Sequence, residues 1–114
     1  MDNTIILDLL NLTKNKIIKW DRKNSTYMTN EYYITIKLKY LFLLSSYYTR
    51  VNNKTVPCYN LSIFNSETLS TINETVINSE SGESFKTLQS LYNEAGREQI
   101  EIELNSILED LNNL

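Results

Sequence analysis

The stretch YYITIKLKYLFLLSSYY, residues 32–48, carries five of the eight tyrosines of this 114-residue chain and its longest apolar run. Every even-numbered position from 32 to 44 is apolar or aromatic, whereas the odd positions from 33 to 39 hold Tyr33, Thr35, Lys37 and Lys39. Alternation with a period of two is typical of a half-buried β-strand. We therefore expect a strand through about residue 40 that turns its even-numbered side chains toward the core.

The second half of the stretch is apolar on both parities. Its uninterrupted apolar part, residues 40–44, is far shorter than the roughly 20 residues that a membrane-spanning helix needs. One layer of helices cannot cover both faces of such a strand, so the surplus predicts a protein partner, a second copy first of all. The predicted partner-binding residues on this strand and its neighbour are Tyr33, Leu41, Leu43, Tyr47 and Tyr48.

Near the start of the chain, apolar residues recur with the spacing of an amphipathic helix. Ile5, Leu9 and Leu12 share one face of a helix that Asn3 or Thr4 can cap. The segment KIIKW (16–20) is a short β-branched run, and DRKNS (21–25) is a polar turn.

Downstream of the opening stretch, two more strands are predicted between turns. PCYNLSIF (57–64) and LSTINETVI (69–77) are the strands, with VNNK (51–54) and NSET (65–68) as turns.

The helical period returns after NSESGES (78–84). Ser84 can cap a helix, and Phe85, Leu88 and Ala95 form an apolar stripe that resumes from Ile100 to Leu111. Because Gly96 interrupts the pattern, residues 85–113 form either one helix or two. The sequence as a whole predicts a single α+β domain over residues 1–114. It comprises an N-terminal helix, an antiparallel meander of four to five strands, and a C-terminal helix or broken helix on one face of the sheet.

The chain has no histidine and a single cysteine, Cys58. A zinc site of the usual Cys/His kind, an internal disulfide and any nucleophile activated by histidine are thereby excluded. Cys58, between Pro57 and Tyr59, fits a small core position better than a reactive thiolate. We therefore expect a protein without enzymatic activity, catalytic residues, a bound metal or a cofactor.

Charge divides unevenly along the chain. Residues 1–58 hold nine Lys/Arg and four Asp/Glu, whereas residues 59–114 hold two and ten. Glu94, Glu98 and Glu101 lie on the polar face of the C-terminal helix and are further candidates for partner binding, either as a solvated face or as a surface for a basic protein patch. The net charge of −3 opposes nonspecific nucleic-acid binding.

The basic half offers an alternative site. Lys19, Arg22, Lys37 and Lys39 lie near Trp20 and the tyrosines, and cations beside aromatic rings can hold a nucleotide. The alternative prediction is therefore a protein that sequesters a nucleotide signal.

Two segments carry a resemblance to a family. LDLLNLTKNKIIKW (7–20) followed by STYMT (25–29) resembles the opening of small bacterial and phage proteins, in which a leucine- and threonine-bearing helix precedes a lysine, an isoleucine, a tryptophan and a tyrosine-bearing strand. The later LQSLYNEAGRE (88–98) is similar to a helix of the same proteins. The matching positions are Leu7, Leu10, Thr13, Lys16, Ile17, Trp20, Tyr27, Leu91, Tyr92 and Ala95. The resemblance implies an architecture and a mobile-element origin, and it implies no activity.

These observations together predict a non-enzymatic accessory protein of a phage or mobile element. We expect it to bind and inhibit a host protein, for instance a component of a defence system, in the host cytoplasm and away from membranes. The first residues, MDNTIILDLL, lack the basic region of a secretory signal. The alternatives are the nucleotide-sequestering protein and a structural homo-oligomer, of which a homodimer through the sheet is the simplest form.

Overall fold

The computed structural model describes residues 3–24 and 30–114, and it confirms the predicted α+β architecture. The elements in chain order are α1 (Asn3–Lys14), β1 (Asp21–Asn24), β2 (Asn30–Ile36), β3 (Tyr40–Val51), β4 (Lys54–Asn65), β5 (Thr71–Asn78) and α2 (Glu83–Asn112), with a short 3-10 helix (Ser79–Ser81) before α2. The five strands lie side by side in sequence order, and each neighbouring pair is antiparallel. Tyr27 lies outside the described residues.

The opening stretch folds as a hairpin, so the predicted strand through residue 40 is wrong in its extent. Residues 37–39 form a tight turn in which Lys37 and Leu38 adopt left-handed backbone conformations, with φ of 53° and 57°. Tyr32 lies opposite Leu44 and Ile36 opposite Tyr40. This register keeps the even-numbered positions of both strands on one face, which is why the alternation predicted the core side correctly across the turn.

The first strand also differs from its prediction. The KIIKW segment forms no strand; instead Lys16, at φ 59°, ends α1 in a Schellman-type cap, with Lys16 N donating to Thr13 O (3.1 Å) and Ile17 N to Leu12 O (2.9 Å). The strand β1 is DRKN, which the sequence favoured as a turn. Pairing with the first residues of β2 overrides the weak local propensity of this polar segment.

A single bent helix accounts for the C-terminal region. It begins at Glu83, directly after Gly82 (φ 64°), so Ser84 lies inside its first turn and does not cap it. Gly96 does not break the helix. A Cβ atom at residue 96 would lie 2.9 Å from Tyr32 Cζ, so the glycine allows the α2 backbone to approach the Tyr32 ring.

Both helices contribute to a core on one side of the sheet. α1 packs against α2, and α2 contacts strands β2 to β5. The buried cluster consists of Ile6, Leu9, Leu10, Trp20, Tyr32, Phe42, Leu44, Tyr59, Leu61, Ile63, Ile77, Phe85, Leu88, Leu91 and Ala95. Within it, the Trp20 indole donates to Thr13 Oγ1 (3.0 Å), and that hydroxyl donates to Leu9 O (2.6 Å).

Candidate functional site

The side of the sheet away from the core bears no helix among the described residues; we call it the helix-free face. Its strand positions are those of opposite parity to the core side chains. They are Asp21 and Lys23 in β1, Glu31, Tyr33 and Thr35 in β2, Leu41, Leu43, Ser45, Tyr47, Thr49 and Val51 in β3, Lys54, Val56, Cys58, Asn60, Ser62 and Phe64 in β4, and Glu74, Val76 and Asn78 in β5. Val56 and Cys58 are buried yet lie outside the core cluster, which agrees with their position on this face.

Four of the predicted partner-binding residues meet on the helix-free face. Tyr33 lies directly opposite Leu43 across the β2–β3 pair, and Leu41 and Tyr47 occupy the same parity of β3. Tyr33 and Tyr47 are 37% and 40% exposed, and the two leucines are half-buried. The surface therefore combines aromatic and aliphatic groups that the described chain leaves uncovered.

Tyr48 stands apart from this group. It lies opposite Pro57 on the parity of the core, yet its side chain is 72% exposed. Its strand end extends beyond the part of the sheet that the helices cover. Tyr48 therefore projects from the other side of the sheet than its neighbour Tyr47.

The buried thiol of Cys58 lies beside Tyr47 and changes the pKa of its phenol. Tyr47 and Cys58 are direct cross-strand partners, and Cys58 is 2% exposed. A hydrogen bond with the Cys58 side chain, followed by partial burial, raises the pKa of Tyr47 to about 12. The environment of Tyr47 therefore favours the neutral phenol over the phenolate.

Sequence reasoning missed the β4 and β5 contribution to this face. Phe64 lies opposite Leu41 and extends the apolar strip into β4, and Val76 of β5, 51% exposed, lies opposite Asn60. The signal that could have found them is the strand register, since a residue opposite Leu41 must share its face. That register depends on the turn at Asn52 and Asn53, both at positive φ.

The acidic candidates on α2 lie away from the helix-free face. Glu94 is paired with Arg97 (3.2 Å) and, with Glu101, lines a cleft beside the connection between α1 and β1. The Glu98 side chain lies outside the described part of the structure. A further carboxylate, Glu103, forms an ion pair with Arg22 of β1 (2.7 Å).

The structure does not bring the candidate nucleotide-binding residues together. Lys19 lines the cleft beside α1, and Arg22 on β1 lies opposite Tyr32. Lys37 and Lys39 belong to the turn at the far end of β2, roughly 16 Å further along at the usual rise of a strand. Trp20 is 3% exposed and belongs to the core, so its ring is not accessible to a base.

The α2 helix carries a second uncovered surface. Its first half is buried through Phe85, Leu88, Leu91 and Ala95, but every residue from 100 to 112 is exposed. The sequence predicted that the apolar stripe resuming at Ile100 would help cover the sheet. Only the first half of the helix does so, and we call residues 100–114 the α2 distal segment.

Within the described ranges, no three or more His, Cys, Asp or Glu side chains are placed to hold a metal ion. None of the described helices is long and apolar enough to cross a membrane. Comparisons of the chain with protein-family models, with curated proteins and with solved structures found no match.

Proposed function

We propose that this chain is a non-enzymatic protein that binds another protein through its helix-free face. The observation that carries the proposal is the meeting of Tyr33, Leu41, Leu43 and Tyr47 on a face that no described helix covers. Exposed apolar groups that lie together are unusual on a monomer and mark sites of association.

The composition of this face favours a protein over a small molecule. Tyrosine offers a large contact area, little loss of side-chain entropy and a polar tip, and it is enriched in protein interfaces. Small ligands instead select concave pockets. The face is a sheet surface whose centre holds Leu43, Ser62 and Cys58 and no charged side chain.

Charge at the edge of the face indicates the kind of partner. Glu31 on β2 lies directly opposite Lys23 on β1, and Glu74 lies on β5 at the other side of the apolar strip. The strip is therefore bordered by charges of both signs, and a protein that presents an apolar surface with a mixed-charge rim would complement it.

The biological role we propose is inhibition of a host protein, for instance a component of a defence system, by an accessory protein of a phage or mobile element acting in the host cytoplasm. The support is the small size of the chain, its lack of histidine, the acidic polar face of its C-terminal helix and the resemblance of residues 7–20 and 88–98 to small bacterial and phage proteins.

The test uses adjacent tyrosines of one strand. Tyr47→Lys changes the helix-free face, and Tyr48→Lys makes the same change on the other side of the sheet. Tyr33→Lys is a second variant of the face on a different strand. Each purified chain is immobilised and exposed to host cytosol, and the retained proteins are quantified by mass spectrometry.

We expect wild type and Tyr48→Lys to retain a common protein that both face variants lose. The purified partner should then bind wild type in calorimetry and lose its own activity on binding. Retention that is equal for all four chains, or retention of nucleotides alone, would contradict the proposal.

A further inference from the structure

We propose that the α2 distal segment associates with the same segment of other copies of this chain, as a parallel coiled coil. The inference concerns a different surface from the helix-free face and does not rest on the proposed function. It arises from the spacing of the exposed apolar residues along α2.

Five of the seven exposed apolar residues of the α2 distal segment follow a heptad pattern, and the other two are Ile102 and Leu108. Ile100, Leu104, Ile107, Leu111 and Leu114 are separated by alternating steps of four and three residues. Such steps place 104 and 111 at a positions and 100, 107 and 114 at d positions of a left-handed coiled coil. The next apolar residue, Leu108, takes the adjacent e position and widens the seam.

These side chains have no partner within the described residues. The a and d residues of the helix are 54–59% exposed, and Leu114, just beyond it, is fully exposed. The distal segment spans about 22 Å at the rise of an α-helix. A helix normally presents such a stripe only to a surface that buries it.

The charges beside the seam determine the direction of pairing. Glu103 and Asp110 occupy g positions, and the e positions hold Glu101 and Leu108. In a parallel pair, the g residue of one helix faces the e residue five positions later on the other, so Glu103 meets Leu108. In an antiparallel pair g faces g, and Glu103 would meet Asp110 of the other copy. Since like charges repel, the parallel arrangement is favoured.

The same flanks could instead select a basic helix, because residues 98–114 hold five acidic residues and no Lys or Arg. The parallel arrangement, however, needs no cation at the seam. Glu103 faces Leu108 of another copy, and Glu101 faces the g position five residues earlier, which is Gly96. No acidic e residue therefore faces an acidic g residue. A second copy can therefore bury the apolar a and d residues, and no basic partner helix is needed.

The residue types at the a and d positions also indicate how many chains the coiled coil contains. Leucine at both a positions with isoleucine at Ile100 and Ile107 favours three or four helices over two. An assembly of this kind would present several helix-free faces at once.

The test is the mass of the full-length chain in solution, measured by sedimentation over a range of concentrations and salt. The seam variant is Leu104→Lys with Leu111→Lys. The matched control is Asn105→Lys with Asn112→Lys, which adds the same charges one residue further along the same two turns. All four positions are exposed, so circular dichroism should show equal helix content for the two variants.

We expect wild type and the control to reach three or four times the chain mass, and the seam variant to remain a monomer. Salt should strengthen the association, because each distal segment carries a net negative charge and salt screens the repulsion between whole segments. A wild-type chain that is monomeric throughout, or dimeric at most, overturns the proposal. So does an association that the seam variant retains and Tyr33→Lys abolishes, which would place the contact on the sheet.

Discussion

The buried polar chain from Trp20 through Thr13 to Leu9 ties the segment after α1 to the helix itself. Among the residues that the structure describes, Thr13 is one of two buried polar residues, and its hydroxyl both accepts and donates a hydrogen bond. A buried donor that loses its partner costs more free energy than the hydrogen bond contributes on balance. The position of Trp20 therefore depends on a hydroxyl at residue 13.

Replacing Thr13 by valine keeps the shape of the side chain and leaves the Trp20 indole N–H unpaired. We expect the free energy of unfolding to fall by about 1–3 kcal/mol, measured by denaturant titration. Thr13→Ser, which keeps the hydroxyl, serves as the control and should lose less. Equal losses for the two variants would show that the hydrogen bond is unimportant.

Tyr47 titrates abnormally because of its cross-strand neighbour. Its raised pKa, about 12 against an ordinary value of 10, means that folding favours the neutral phenol. The resulting stabilisation is complete below pH 10 and is lost as the pH rises through about 12.

Removing the thiol with Cys58→Ala should return the pKa of Tyr47 toward its ordinary value. The absorbance of the phenolate, taken as the difference between each chain and its Tyr47→Phe variant, isolates this one tyrosine among eight. An unchanged pKa after the substitution would mean that the thiol is not the cause.

At the scale of elements, the β2–β3 hairpin is closed by residues that suit it poorly. Leu38 adopts a left-handed conformation at φ 57° while its side chain is 83% exposed. A side chain in this conformation costs roughly 1–2 kcal/mol, which glycine avoids. The chain contains only two glycines and uses neither of them here.

Leu38→Gly should therefore raise the free energy of unfolding, by about 0.5–1 kcal/mol once the entropy cost of glycine is subtracted. Leu7→Gly is a matched control, since Leu7 is also exposed but lies within α1. There the same substitution should destabilise the protein by about 1 kcal/mol or more. A loss of stability in both variants would contradict the account of the turn.

The elements that sequence could predict are those with strong periodicity. The alternation from Tyr32 to Leu44 identified the core side of two strands, and the stripe from Phe85 to Ala95 identified the buried half of α2. The turn after Ile36 was not predicted, because lysine and leucine are uncommon in tight turns. The strand β1 was not predicted, because its sequence, DRKN, has a low strand propensity and forms a strand by pairing with β2.

The candidate site could be predicted only in part. Parity placed Tyr33, Leu41, Leu43 and Tyr47 together, but Phe64 and Val76 depend on registers across two further strands. The residues of the nucleotide alternative do not form a common site, because Arg22 on β1 lies opposite Tyr32 near the start of β2, whereas Lys37 follows the end of β2. The four candidate residues lie within 21 positions of one another in the sequence but are not brought together in the fold.

At the scale of the whole molecule, the described residues leave two apolar surfaces uncovered on different parts of the fold. The helix-free face lies on the sheet, and the α2 distal segment projects beyond the buried half of its helix. We propose that the first binds a host protein and the second gathers copies of the chain. Together they would allow several weak contacts to act at once, which raises the effective affinity.

We propose that the helix-free face binds a protein, and the pair Tyr47→Lys and Tyr48→Lys separates this face from the other side of the sheet. Both substitutions add one cation to the same strand, and only the first lies on the face. In calorimetry with the partner recovered from host cytosol, we predict that Tyr48→Lys binds like wild type and that Tyr47→Lys loses at least tenfold in affinity, about 1.4 kcal/mol. Equal affinities for the two variants would contradict the claim.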